Sequence, residues 1–264
     1  MKIYMKRKKI RRKKKKTIFI RFRKLLPIVI MVIILFMNKK EKKLEEKVEA
    51  FSSATTDVIT VEVKKPEIDS KTTDWNLILV NKENKIPENY HVDLQTVEDK
   101  QKVDIRIADA LTQMLTDARK EGLQPYICSS YRTNRTQTTL FNRKVTQYQR
   151  SGYSKQQAEE AASYWVTFPG TSEHEIGLSV DIVSKDYSIL DEKQENTAVQ
   201  KWLMENCDKY GFTLRYPTHK KETTKINYEP WHYRYVGIKN AEFMKEKSYC
   251  LEEYIAYLKE YEKR

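Results

Sequence analysis

The chain has 264 residues, 50 Lys and Arg against 37 Asp and Glu, and a net charge of +13. Fourteen of the basic residues and no acidic one fall in residues 1–24, which leaves 36 basic against 37 acidic residues for the remainder. A near-neutral body behind a basic tag argues against nucleic acid as a partner, since a nucleic-acid-binding domain carries its positive field on the folded part. Six Gly and three Cys beside 17 Tyr exclude collagen-like, disulfide-scaffold and wholly disordered classes.

The N-terminus reads as a targeting device. Residues 1–24 form a basic tail, and Leu25–Met37 (LLPIVIMVIILFM) is an uninterrupted apolar run closed by Asn38, Lys39 and Lys40. A positive region ahead of a short apolar core is the pattern of an export signal. At ~1.5 Å per residue the run reaches about 20 Å, short of a ~30 Å hydrocarbon core, and snorkelling of Lys24 and Lys39 extends it. No small-x-small site follows, so an uncleaved signal-anchor is expected, with a cleaved and secreted form as the alternative. The positive-inside rule keeps the tail cytoplasmic and sends the rest of the chain across a cell membrane it crosses once.

Residues 38–73 are charged and then Ser/Thr-rich, without a lasting apolar period, and read as a stalk. A folded domain with C-terminal helices is expected over 74–264. WNLILV (Trp75–Val80) reads as a strand ended by Asn81. Val103, Ile107, Leu111, Leu115 and Ala118 recur at helical spacing, and Gly122 stops that helix. A short strand is predicted over 125–130 and a helix over 136–150. Another helix starts at Ser154, where Ser-x-x-Gln (Gln157) forms a capping box. Val199, Leu203 and Tyr210 mark a helix stopped by Gly211, ahead of a strand-like FTLRY. Tyr233–Val236 reads as a strand, and Leu251, Ile255 and Leu258 mark a last helix. Strands and helices mix without a βαβ rhythm, which predicts an α+β fold.

Two segments carry chemistry. GTSEHEIGLSVDI (Gly170–Ile182) and YEPWHYRYVG (Tyr228–Gly237) hold His174 and His232, two of only four histidines, each beside carboxylates. A catalytic zinc site needs three N or O ligands and one open position. His174, Asp181 and His232 can supply that set, with Gly177 permitting the turn that brings Asp181 back beside His174. Glu229, three residues before His232, is then free to act as general base. Each residue alone has a plainer reading, such as a satisfied histidine or a capping Asp; their combination points to a metal. Glu173 and Glu175 read as solvated flanks, either of them a conceivable substitute ligand.

The pattern S-x-H-x-x-G-x-x-x-D followed by E-x-W-H resembles the zinc D-alanyl-D-alanine carboxypeptidases of the VanY type. That family shares a fold with the D-alanyl-D-alanine dipeptidases and the hedgehog signalling domain. The resemblance runs from about Trp75 to Gly237 and includes NLILVNKENKIPENY, SSYRTNRTQ and GFTLRYP. It implies a small antiparallel sheet carrying a zinc site and flanked by helices. It also implies one zinc per chain on His174, Asp181 and His232, with Glu229 as the base. By the same resemblance Arg132 steadies the peptide near its reacting carbonyl or terminal carboxylate, and Ser172 contacts the terminal carboxylate. Gln137 falls at a peptide-binding position and Trp231 forms pocket wall behind His232. The plainer readings are a surface ion pair for Arg132, a turn hydroxyl for Ser172, a helix-surface amide for Gln137 and a core ring for Trp231.

The implied activity is removal of the terminal D-Ala from peptidoglycan stem peptides or their precursors, with no obligate protein partner. The alternatives are an L,D-carboxypeptidase acting on tetrapeptide stems and a non-catalytic, zinc-containing module that binds cell-wall peptides. Ser179 stands where the family usually has Ala, and Lys225 where a Gly commonly follows Thr. Cys128, Cys207 and Cys250 form no C-x-x-C pair; free thiols are expected, with one disulfide outside the cell as the alternative, its pairing not readable from the sequence. His91 and His219 lie in polar loops and are not expected as ligands. The absence of a G-x-S-x-G elbow argues against a serine hydrolase.

Overall fold

In the computed structural model, which describes residues 69–263, the backbone first pairs two short strands, β1 (Leu94–Thr96) and β2 (Lys102–Asp104). It then builds an antiparallel sheet from β3 (Pro125–Ser129), β4 (Ser179–Ser184), β5 (Phe212–Leu214) and β6 (His232–Tyr235), in the order β3-β4-β6-β5. Seven helices flank these sheets among the described residues: α1 (Ile105–Lys120), α2 (Asn134–Arg150), α3 (Lys155–Ser163), α4 (Ala198–Asn206), α5 (Lys221–Thr224), α6 (Ile238–Lys247) and α7 (Leu251–Glu262). The fold is α+β, as expected. The basic tail, the apolar run and all but the last five residues of the expected stalk lie outside the described residues.

Period-two alternation decides which side chains reach the site. On β4, Val180 and Ile182 enter the main core with Ile107 and Leu111 of α1 and Leu203 of α4, so Asp181 between them faces the other side of the sheet. On β6, Tyr233 enters the same core, which turns His232 and Arg234 to the face that Asp181 occupies. The register pairs Asp181 with His232 across β4 and β6. It pairs Asp181 with Ser129 across β3 and β4, where β3 is irregular between Ile127 and Ser129. Gly177, at φ +73, sets the turn into β4; a Cβ there would lie 2.9 Å from the Asp104 backbone nitrogen, so only glycine fits.

Helix boundaries follow local chemistry. The Asp104 carboxylate accepts from the Arg106 N–H at 2.9 Å and caps α1. Ser154 and Gln157 close the expected capping box at the start of α3. Helices α6 and α7 enclose a second core of Val236, Met244, Leu251, Tyr254 and Leu258 with Leu77. The last part of the expected stalk docks here, with Thr72 donating its N–H and hydroxyl to Glu262 at 2.7 and 3.0 Å.

The strand expected over Trp75–Val80 does not form; Trp75–Leu77 is a 3-10 turn. Leu77 enters the second core and Val80 the first, so the segment bridges two cores. Its Asn76 and Ile78 carbonyls accept from the Arg234 guanidinium at 3.1 and 2.9 Å instead of from a neighbouring strand.

Candidate functional site

The 3-10 turn Glu173–Ile176, strand β4 and strand β6 bring His174, Asp181 and His232 together, all buried. One ligand-capable atom from each lies within 4.8 Å of the others. His174 Nδ1 is 2.8 Å from the Ser130 carbonyl, which accepts its proton and leaves Nε2 as a lone pair, 3.3 Å from Asp181 Oδ2. His232 turns Nδ1 towards Asp181 Oδ1 at 3.3 Å and Glu229 Oε2 at 3.4 Å. Its other ring nitrogen faces Glu173 Oε2 at 3.5 Å.

The electrostatics suit a cation. Burial and the Arg132 charge push the His174 pKa down to about 4, so its ring is neutral and can donate a lone pair. Burial opposes a charge on His232, yet the neighbouring carboxylates of Asp181, Glu173 and Glu229 push its pKa up to about 10. Asp181 and Glu229 thus draw a positive charge to the point that His232 Nδ1 faces, while Glu173 acts at Nε2. Asp181 Oδ1 is buried and accepts no hydrogen bond, an orphan that a bound metal would satisfy. The donor set of two imidazoles and one carboxylate fits zinc. Burial raises the Glu229 pKa, with Asp181 adding to the shift and His232 opposing it.

Glu173 is not a solvated flank. Its side chain is fully buried, with Oε1 accepting from Arg215 Nε at 2.7 Å and Arg234 Nη1 at 2.9 Å, and Oε2 accepting from the Ser179 hydroxyl at 3.0 Å. Burial would raise its pKa, but the two guanidinium groups hold it well below the usual carboxylate range. Arg215 continues the chain of charges to Glu252 on α7 at 2.6 and 2.8 Å. Glu175 is buried too, accepting from Asn134 Nδ2 and the Gly170 N–H, each at 2.9 Å. Alternation along the two strands was the available signal, since it puts Ser179, Asp181, His232 and Arg234 on one face.

Arg132 donates to Asp181 Oδ2 at 2.6 Å and to the Ser129 hydroxyl at 2.9 Å. Gln137 lies beneath it, fully buried: its carbonyl accepts from Arg132 Nη1 at 3.4 Å and its amide donates to the Thr167 carbonyl at 2.9 Å. A cleft of about 310 Å³ opens over this cluster, and Arg132, Ser172, Glu229 and Trp231 line it with the three candidate ligands. Gln137 is not part of its wall. Tyr216, which sequence reasoning missed, packs its ring 4.8 Å from that of His232 and also lines the cleft. A wider hollow of about 840 Å³ between Tyr148, Tyr164 and Lys221 shares Trp165 with the cleft and holds none of the candidate ligands. The three cysteines are free, and His91 and His219 are exposed and remote from the cluster.

Residues 100–238 match the VanY family, described as D-alanyl-D-alanine carboxypeptidase. The D-alanyl-D-alanine carboxypeptidase of Enterococcus faecalis is 42% identical over 182 residues, which cover 69% of this chain and 66% of that protein. The chain thus spans slightly less than two thirds of that relative's length. A solved structure of VanYB in complex with D-alanine-D-alanine is similar at TM-score 0.65 and 42% identity, covering 69% of this chain and 98% of that one. A structure of the vancomycin resistance D,D-pentapeptidase VanY from the VanB-type cassette, a mutant in complex with Zn(II), is similar at TM-score 0.64 and 42% identity, covering 69% and 99%.

Proposed function

Because the chain belongs to the VanY family of D-alanyl-D-alanine carboxypeptidases, we propose that it is a zinc-dependent carboxypeptidase removing the terminal D-Ala from peptidoglycan stem peptides. The observation that carries this reading is the closeness of His174, Asp181 and His232, with the Glu229 carboxylate 3.4 Å from the His232 nitrogen that faces them. His174 Nε2, Asp181 Oδ1 and His232 Nδ1 would hold one zinc. When bound, zinc supplies Lewis acidity towards water and towards the peptide carbonyl.

The chain's own residues do the rest. Glu229, buried and with its affinity for a proton raised, takes a proton from the attacking water as the C–O bond forms. It returns that proton to the leaving D-alanine nitrogen as the C–N bond breaks. Arg132, anchored through Asp181, Ser129 and Gln137, aims its guanidinium at the carbonyl oxygen or terminal carboxylate of the peptide. Ser172 offers a hydroxyl to that carboxylate, and Trp231 walls the cleft beside His232.

The basic tail and the Leu25–Met37 run support a signal-anchor that holds the domain outside the cell, where peptidoglycan lies. Zinc content and product mass together test the proposal. The full-length protein should carry one zinc per chain and shorten a D-Ala-D-Ala-ending pentapeptide by one residue, while His232→Ala should lose both properties. Full zinc occupancy in His232→Ala would remove His232 from the ligand set, and an untouched pentapeptide beside a shortened tetrapeptide would move the activity to L,D cleavage.

A further inference from the structure

Beyond the residues that hold the reacting centre, one wall of the cleft carries charges that the chemistry above does not use. Leu140, Arg143, Lys144 and Gln147 of α2 line it. Their spacing, i, i+3, i+4 and i+7, is that of one helix face. An adjoining face of α2 buries Phe141 and Val145 against Ala158 and Ala162 of α3, which fixes the rotation of the helix. Seven residues at ~1.5 Å each give about 10 Å of wall, the length of about three extended peptide residues at ~3.3 Å. Arg132, which touches Asp181, stands two residues before α2, so this wall runs outward from the reacting centre.

A carboxypeptidase that releases one residue has a leaving side too short to use such a wall. The wall therefore faces the acyl side of the scissile bond. Lys144 is half-buried there, its ammonium 5.2 Å from the Trp165 ring centre and 5.9 Å from that of Tyr148. Among the described residues neither Lys144 nor Arg143 has a carboxylate within ion-pair distance. Asp191 and Glu192 line an adjoining hollow with Lys144 and Trp165 but lie beyond ion-pair distance; Asp191 accepts from the Tyr187 hydroxyl at 2.8 and 3.0 Å, and Glu192 is exposed. The Glu229 charge acts on Lys144 across the cleft without pairing with it, so a half-buried cation packed against aromatic rings gains from an anionic ligand at contact distance.

We propose that Arg143 and Lys144 form a second carboxylate subsite, which selects peptides bearing a free carboxylate within about three residues on the acyl side of the scissile bond. This rests on the carboxypeptidase reading and deepens it. Two peptides test it, both ending in D-Ala-D-Ala and differing only in one acyl-side group, a free carboxylate or its primary carboxamide.

With zinc content matched, the full-length wild type should show a kcat/KM about tenfold higher for the carboxylate peptide, one charge-assisted contact's worth of selectivity. In Lys144→Gln and Arg143→Gln the preference should shrink, and in the double variant the ratio should approach one. High salt should narrow it in the wild type, as expected for a rim charge. A wild-type ratio near one, or a preference that survives in the double variant, overturns the subsite. If the wild type cleaves neither peptide, the carboxypeptidase reading fails, and equilibrium binding of the same two peptides then decides the subsite. Tighter binding of the carboxylate form, lost in the double variant, supports it, and equal binding overturns it.

Discussion

Glu173 Oε2 lies 3.5 Å from His232 Nε2, the ring nitrogen opposite the one facing Asp181 and Glu229. A carboxylate there favours the tautomer with the proton on Nε2, which leaves Nδ1 free as a ligand. Two buried guanidinium groups and the Ser179 hydroxyl fix the carboxylate itself. The geometry of His232 therefore rests on a charge network that extends to Glu252 on α7, outside the 100–238 segment that matches the family.

Replacing Glu173 by Gln should weaken zinc binding about 10- to 100-fold, the usual scale for losing an outer partner of a ligating histidine. It should also cost about 3 kcal/mol of folding stability, because Arg234 keeps its charge but loses its buried partner. Ser179→Ala removes only one hydrogen bond to the same carboxylate and should cost about 1 kcal/mol while keeping the metal. Competition titration with a zinc chelator and urea denaturation of both variants read the two effects separately. Equal zinc affinity in Glu173→Gln and wild type would disconnect Glu173 from His232.

Lys225 occupies the left-handed region at φ +59, as the C-cap of α5. That conformation costs a non-glycine residue about 1–2 kcal/mol, whereas glycine adopts it freely. Glycine also gives the unfolded chain more freedom, which offsets up to about 1 kcal/mol. Lys225→Gly should therefore raise stability by up to about 1 kcal/mol in urea denaturation. A clear loss would assign the exposed lysine side chain a contact of its own.

The residues that carry chemistry were legible because their spacing is local. His174, Gly177 and Asp181 fall within one turn and strand, and Glu229 and His232 within four residues. Helices α1, α3, α4 and α7 were legible from apolar period and caps. What escaped was set by distant partners. WNLILV has the composition of a strand, but Arg234, more than 150 residues away, takes its carbonyls. Glu173 reads as a surface acid beside His174, and only the folding of Arg215 and Arg234 onto it makes it a buried anion. The displaced role of Gln137 has the same origin, since its partner Thr167 comes from the loop after α3.

A reporter fused after Arg264 tests the proposed topology. It should be reachable from outside intact cells and remain with the membrane fraction. A shortened chain recovered from the medium would show cleavage after the apolar run, and a reporter reachable only after lysis would reverse the orientation.

Glu229 separates turnover from binding. Its carboxylate is buried at the cleft, 3.4 Å from His232 Nδ1, with a pKa raised by its surroundings. Glu229→Gln is nearly isosteric, so packing and zinc content should hold. An amide cannot accept a proton at neutral pH, so kcat should fall by about 10²–10⁴, the range that a positioned general base contributes. KM should change far less, because Arg132 and Ser172 still face the peptide, and a fall confined to kcat is the mark of an interaction made only in the transition state. The measurement is hydrolysis of a D-Ala-D-Ala-ending stem peptide by wild type and variant at equal zinc occupancy. Equal rates would take the base role away from Glu229. A raised KM with kcat preserved would turn it into a substrate contact, leaving the proton to another group in the cleft.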